Sequence, residues 1–255
     1  MAWECMGSGP PIVLCHGTPW SSRLWVELAR GLAGEFTVYL WDMPGYGESS
    51  KEAGHAVDLG TQGELFAWLL EHWGLEAPRV VAHDFGGAVS LRAHLLHGSR
   101  YHSLTLVDVV ALRPWGSEFF RLVHDHADVF AALPHAVHRG ALEAYIGTAS
   151  HRGLSRDQLG TLARPWLTPG GQQAFYRQIA QADERYTDEI QDSYGELAIP
   201  VSIIWGEQDT WIPVDRAHRL HERIPGSRLE IVADAGHLIQ YDAPAELALA
   251  IRRAL

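Results

Sequence analysis

The segment Val80-Val81-Ala82-His83-Asp84-Phe85-Gly86-Gly87-Ala88 places an acidic side chain midway between two small residues, Ala82 and Gly86. A β-branched run enters it and a helical pattern leaves it. A sharp strand-to-helix turn needs this spacing, because it brings strand and helix too close for larger side chains. Such a turn normally presents a serine, in the pattern G-x-S-x-G; here the position holds Asp84. A carboxylate needs no base to attack carbon, and it forms an ester with what it attacks. The competing reading makes Asp84 the N-cap of the helix opening at Gly86, a common role for aspartate.

Two further segments supply partners for a nucleophile. Asp234-Ala235-Gly236-His237 follows the apolar run Arg228–Val232, with Pro244 and a helical pattern behind it. Trp205-Gly206-Glu207-Gln208-Asp209 follows the run Val201–Trp205, and Pro213 closes that loop. A histidine so placed can activate water, while Asp209 fixes its tautomer and stabilises its cation. Each residue alone reads as a polar loop group; nucleophile, acid and base in that chain order, each after a predicted strand, are specific.

Leu14-Cys15-His16-Gly17-Thr18-Pro19 ends the run Pro11–Cys15. Gly17 permits a tight turn, so the amides of Thr18 and Phe85 can form an oxyanion hole. His16 precedes the turn with no acid beside it in sequence, and a structural role is expected. Asp42 through Ser49 is glycine-rich but lacks the lysine and spacing of a phosphate-binding loop, so a shaped turn is expected.

These loops must sit on a frame. Apolar runs Pro11–Cys15, Phe36–Trp41, Arg79–Ala82, Ser103–Leu112, Val201–Trp205 and Arg228–Val232 alternate with helical patterns over Arg23–Ala33, Asp58–Trp73, Gly86–Leu96, Asp215–Ile224 and Ala245–Leu255. That alternation predicts an α/β fold with a mostly parallel sheet flanked by helices. Between Arg113 and Leu197 the pattern is helical only, punctuated by Pro114, Pro134, Pro165 and Pro169. The expected division is a core of residues 1–112 and 198–255 with a helical cap at 113–197. The cap would cover the sheet's carboxyl edge, where open α/β sheets bind ligands, or else merely complete the core.

Composition narrows the partners. The chain has 255 residues and a net charge of −11, which disfavours nucleic acid and anionic membrane surfaces. Cys5 and Cys15 suggest neither a disulfide framework nor a metal site, and no metal or cofactor is expected. No signal peptide is recognisable and no apolar run is long enough to span a bilayer, so a cytoplasmic enzyme is the default expectation. Ten tryptophans are many for this length. Trp20, Trp115, Trp166 and Trp211 either line an apolar pocket floored by Phe85 or pack in the core.

Together, His16 through Pro19, Asp42 through Ser49, His83 through Gly87, Gly206 through Asp209 and Gly236-His237 carry a resemblance over nearly the whole chain. The chain resembles the haloalkane dehalogenase and epoxide hydrolase branch of the α/β-hydrolases, which use an aspartate nucleophile. The resemblance places the cap after the sixth family strand. Relatives have more chain before the His-Gly turn, commonly an antiparallel edge strand; that strand is expected to be missing here, or the start to be late. Some family dehalogenases take their acid from the strand where Asp108 lies, so Asp108 is the alternate to Asp209.

The resemblance implies an alkyl-enzyme ester on Asp84, hydrolysed by water that His237 activates. The leaving group stays open. Haloalkane dehalogenases resembling this chain grip halide with a tryptophan after the nucleophile and often an asparagine after the His-Gly pair; here these are Phe85 and Thr18. The arginine that fluoroacetate dehalogenases carry at the position of Phe85 is also absent. Epoxide hydrolases use cap phenols as acids, for which Tyr145, Tyr176, Tyr186 and Tyr194 are candidates. The favoured expectation is an epoxide hydrolase acting on a small apolar molecule. A haloalkane or haloacid dehalogenase and a non-catalytic binding protein of the same fold are the alternatives. Oligomeric state is not legible.

Overall fold

The computed structural model describes residues 1–255. Its strands are β1 (Trp3–Gly7), β2 (Pro11–Cys15), β3 (Thr37–Trp41), β4 (Arg79–His83), β5 (Ser103–Val107), β6 (Val201–Gly206) and β7 (Arg228–Val232). They form one sheet in the order β1-β3-β2-β4-β5-β6-β7, parallel except for β1. The central strands are buried on both faces, as their unbroken β-branched runs require.

The helices, in chain order, begin with α1 (Val26–Leu32), α2 (Leu59–His72) and α3 (Phe85–His97) against the sheet. Between β5 and β6 lie α4 (Glu118–Asp125), α5 (Ala127–Ala131), α6 (His135–Gly147), α7 (Arg156–Ala163), α8 (Gly171–Ala180) and α9 (Arg185–Gln191), with no strand among them. After β6 come α10 (Asp215–Arg223), α11 (Ile239–Asp242) and α12 (Pro244–Ala254). No helix is long and apolar enough to cross a membrane.

The expectation of a missing edge strand is wrong. β1 pairs antiparallel with β3, from Trp3 opposite Trp41 to Gly7 opposite Thr37. Residues 8–10 suffice to carry the chain across the start of β3 because Gly7 and Gly9 take φ of +82° and +129°. A Cβ on either would meet a carbonyl of Phe36 or Glu35 at 2.3 or 2.2 Å.

A second correction concerns β5. The apolar run to Leu112 predicts a longer strand, but pairing ends at Val107, where Asp108 turns to φ +44°. Residues 109–112 are buried in the loop leading to the helical insertion.

Candidate active site

β4 delivers Asp84 at the carboxyl edge in a backbone conformation of φ +52°, ψ −122°, which an L-residue adopts only at a cost of roughly 1–3 kcal/mol. The turn is pinned by its carbonyl, which accepts from Gly87 N at 2.9 Å and Val110 N at 3.0 Å. Close approach comes from glycine: a Cβ on Gly86 would meet the His16 carbonyl oxygen at 2.7 Å, and one on Gly17 would meet Asp84 Oδ1 at 2.2 Å. Asp84 occupies the N-cap position of α3 but makes no capping hydrogen bond. Its Oδ1 instead accepts from Thr18 N at 2.6 Å, across 66 residues of sequence.

The other two members converge there. His237 Nδ1 bonds Asp209 Oδ2 at 2.8 Å, while Asp209 Oδ1 accepts from the amides of Trp211 and Ile212 at 2.7 and 2.9 Å. Since the carboxylate only accepts, Nδ1 is the donor and Nε2 is directed at Asp84, 3.4 Å from Oδ2. Burial opposes charge on His237, but Asp209 and Asp84 more than offset it and hold the ring well above its ordinary range.

Asp108 does not contact His237 in this way. Its Oδ1 accepts from Gly206 N at 2.8 Å and its Oδ2 is buried without a partner. Burial and the charge of Asp209 push Asp108 well above the carboxylate range, and it lies beside the acid that meets the imidazole.

His16 is locked: Nε2 accepts from Met43 N at 3.0 Å, so Nδ1 donates to the Gly17 carbonyl at 2.9 Å. It shapes the turn bearing Thr18, as expected.

A narrow cavity lies over Asp84, with room for about one or two water-sized molecules. Thr18, Phe85, Trp115, Tyr145 and Trp211 line it, with Val110, Gly116, Ser117, Phe120 and Ile212. Trp20 and Trp166 do not. Trp20 is buried and stacks on Trp211 at 5.6 Å; Trp166 is held inside the insertion, with Nε1 donating to the Pro19 carbonyl at 2.8 Å. Among the other tyrosines, Tyr176 bonds His138, Tyr194 donates to the Ala111 carbonyl, and Tyr186 pairs with Arg185; none lines the cavity.

Three supporting residues carry no sequence signal strong enough to single them out. His83 Nε2 bonds the His237 carbonyl at 2.9 Å beneath the imidazole. Gln178 on α8 accepts from both Thr18 Oγ1 and the Tyr46 hydroxyl, at 2.7 and 2.8 Å. Buried Asp242 accepts from Gly236 N, His151 N, Arg152 N and Ser150 Oγ, tying the loop of His237 to the helical insertion. An acid five residues after His237 is indistinguishable in sequence from an ordinary helix-start residue.

The sheet order, the strained elbow and the three converging loops define an α/β hydrolase. Residues 10–244 match the family model of the alpha/beta hydrolase fold, and the chain belongs to that family. An uncharacterized protein of Mycobacterium tuberculosis is 31% identical over 261 residues, covering 96% of this chain and 74% of its own length. A pimeloyl-[acyl-carrier protein] methyl ester esterase of Vibrio cholerae is 27% identical, covering 92% of this chain and 90% of its own. The crystal structure of an alpha/beta hydrolase fold protein from Burkholderia ambifaria superposes with a TM-score of 0.95 at 46% identity, covering 98% of this chain and 92% of that one.

Proposed function

We propose that this hydrolase attacks small apolar epoxides with the Asp84 carboxylate and releases diols through a covalent ester. One observation carries the reading: the elbow holds a carboxylate with one oxygen on an amide and the other facing a histidine backed by an acid. Oδ2 is the free oxygen and attacks a ring carbon, whose bond to the epoxide oxygen breaks. That oxygen takes the proton of the Tyr145 hydroxyl, which burial foremost and then the charge of Asp84 keep protonated. A proton from solvent restores the Tyr145 hydroxyl, and His237 gives up its own to solvent once the charge of Asp84 is gone, leaving the neutral base that the second step needs.

Oδ1 is now the ester carbonyl oxygen, already on Thr18 N. Water activated by His237 attacks that carbonyl, and the amides of Thr18 and Phe85 stabilise the oxyanion. Collapse expels the diol oxygen, which is protonated by His237. The carboxyl proton of Asp84 then returns to the imidazole, closing the cycle.

The cavity favours oxygen over halide as the leaving group. Trp115 Nε1 donates to Thr187 Oγ1 at 3.1 Å and Trp211 Nε1 to Thr148 Oγ1 at 2.9 Å, so both lining indoles are turned to other acceptors. The Phe85 side chain has no donor, whereas Tyr145 and Ser117, each with a hydroxyl, line the space. No arginine or lysine lines it either, so a haloacid carboxylate would face Asp84 unpaired. Ester hydrolysis of the kind named for the Vibrio relative fits less well, because a carboxylate attacking an ester carbonyl would form a high-energy anhydride.

Tyr145→Phe tests the assignment: ester formation from a terminal epoxide falls about 100-fold, while any alkylation by a matched haloalkane is unchanged. Equal rates in Tyr145→Phe and wild type with epoxide contradict it.

A further inference from the structure

The catalytic cavity has a neighbour. A surface cleft of about 420 Å³ is lined by Arg121, His124, Asp125, Asp183 and Glu184, and by Trp115 and Phe120. Those two aromatics also line the cavity over Asp84, so the same pair of rings forms the wall between the two spaces. Both are almost fully buried. Phe85, Trp115 and Phe120 pack edge to face in a triangle, with centroids 5.5, 6.0 and 6.1 Å apart.

The two walls are held differently. Trp115 is fastened by its backbone N to Glu184 Oε1 at 3.1 Å and by Nε1 to Thr187 Oγ1 at 3.1 Å. The Phe120 side chain has no polar atom and is held by packing alone, from the first turn of α4, where its backbone N donates to Ser117 Oγ. Turning Phe120 breaks no hydrogen bond; turning Trp115 breaks one and strains another. The cavity as it stands holds too little space for most organic substrates, so a route must open, and Phe120 stands between it and the cleft with no hydrogen bond on its ring.

We infer that Phe120 is the moving leaf and Trp115 the fixed post of a gate between the cleft and Asp84, and that Phe120 sets the width of substrate admitted. The cleft carries three carboxylates, Asp125, Asp183 and Glu184, against one guanidinium, which itself donates to the Gly116 carbonyl. Anions are therefore disfavoured on the way in, and narrow molecules without negative charge are the class that passes. The gate rests on the proposed function only for the identity of what crosses it.

The test reads access without turnover. In a Val110→Cys background, with Ile212→Cys as a second cavity position should the first fail to fold, thiol labelling is timed by peptide mass spectrometry. The probes are a methyl and a benzhydryl thiosulfonate. Phe120→Ala speeds the bulky probe at least about tenfold and the methyl probe under about threefold, while Phe120→Trp slows both. Unchanged rates in Phe120→Ala, or equal acceleration of both probes, overturn the gate. Size-selective labelling in a protein that forms no ester with epoxides retains the gate and rejects the proposed function.

Discussion

His237 Nε2 stands 3.4 Å from Asp84 Oδ2 with both side chains buried, so the charge of Asp84 bears directly on the protonation of the imidazole. In the free enzyme the imidazolium is supported by Asp209 and Asp84 against the cost of burial. Once Oδ2 becomes an ester oxygen, the charge on Asp84 is gone and one support is lost. On the proposed mechanism, His237 thus becomes a competent base when there is an ester to hydrolyse.

Asp84→Asn keeps the shape and the Thr18 contact while removing that charge. The pKa of His237 falls relative to wild type, as read by NMR titration of the ring, and ester formation drops by about 1000-fold or more. An unchanged imidazole titration in this variant would show that Asp84 does not hold the His237 proton.

The pH profile follows with a definite sign. The free enzyme keeps His237 protonated above its ordinary range, but ester hydrolysis needs the neutral ring. Under conditions where ester hydrolysis limits kcat, the acid limb lies at lower pH than the His237 titration of the free enzyme. Coincidence of the two contradicts the charge coupling.

Asp209 and Asp108 separate by substitution. Asp209→Asn keeps its one oxygen on the Trp211 and Ile212 amides and turns its NH2 to His237 Nδ1, which loses its acceptor, so kcat falls about 1000-fold or more. Asp108→Asn keeps an oxygen that accepts from Gly206 N and touches neither ring nitrogen of His237, so kcat changes less than about tenfold. Steady-state kinetics on the two variants decides, and the reverse ranking would reassign the triad acid.

Asp242→Ala leaves one buried donor, Gly236 N, and three partly buried ones without their acceptor. Stability falls by about 2–4 kcal/mol, measured by urea unfolding. A change under about 0.5 kcal/mol would mean that water replaces the carboxylate there.

Asp84, Asp209 and His237 are legible in sequence because each follows an apolar run that becomes a strand, mostly buried before Asp84 and Asp209 and half-buried before His237. Asp84 stands out further through Ala82 and Gly86, whose small size the tight elbow demands. The edge strand Trp3–Gly7 is not legible: it is short and mostly exposed, and its link over β3 depends on glycines pressed against Glu35 and Phe36. Asp108 at positive φ ends a run that reads as one long strand. The tryptophans divide by tertiary contacts alone. Trp115 and Trp211 reach the cavity, while Trp166 spends its N–H on the Pro19 carbonyl and Trp20 lies behind Trp211. Phe120 and Gln178 matter only through how the insertion seats on the sheet, which local periodicity does not encode.

The most direct test of the account is to stop the second step and weigh the protein. His237→Gln removes the base but leaves the Asp84 carboxylate and its Thr18 contact. After incubation with a small terminal epoxide, intact-mass spectrometry is predicted to show one added substrate mass, mapped by peptide fragmentation to Asp84. Wild-type enzyme under the same conditions stays unmodified and releases diol. No adduct in His237→Gln together with no diol from wild type, or an adduct on any residue other than Asp84, would contradict the nucleophile assignment.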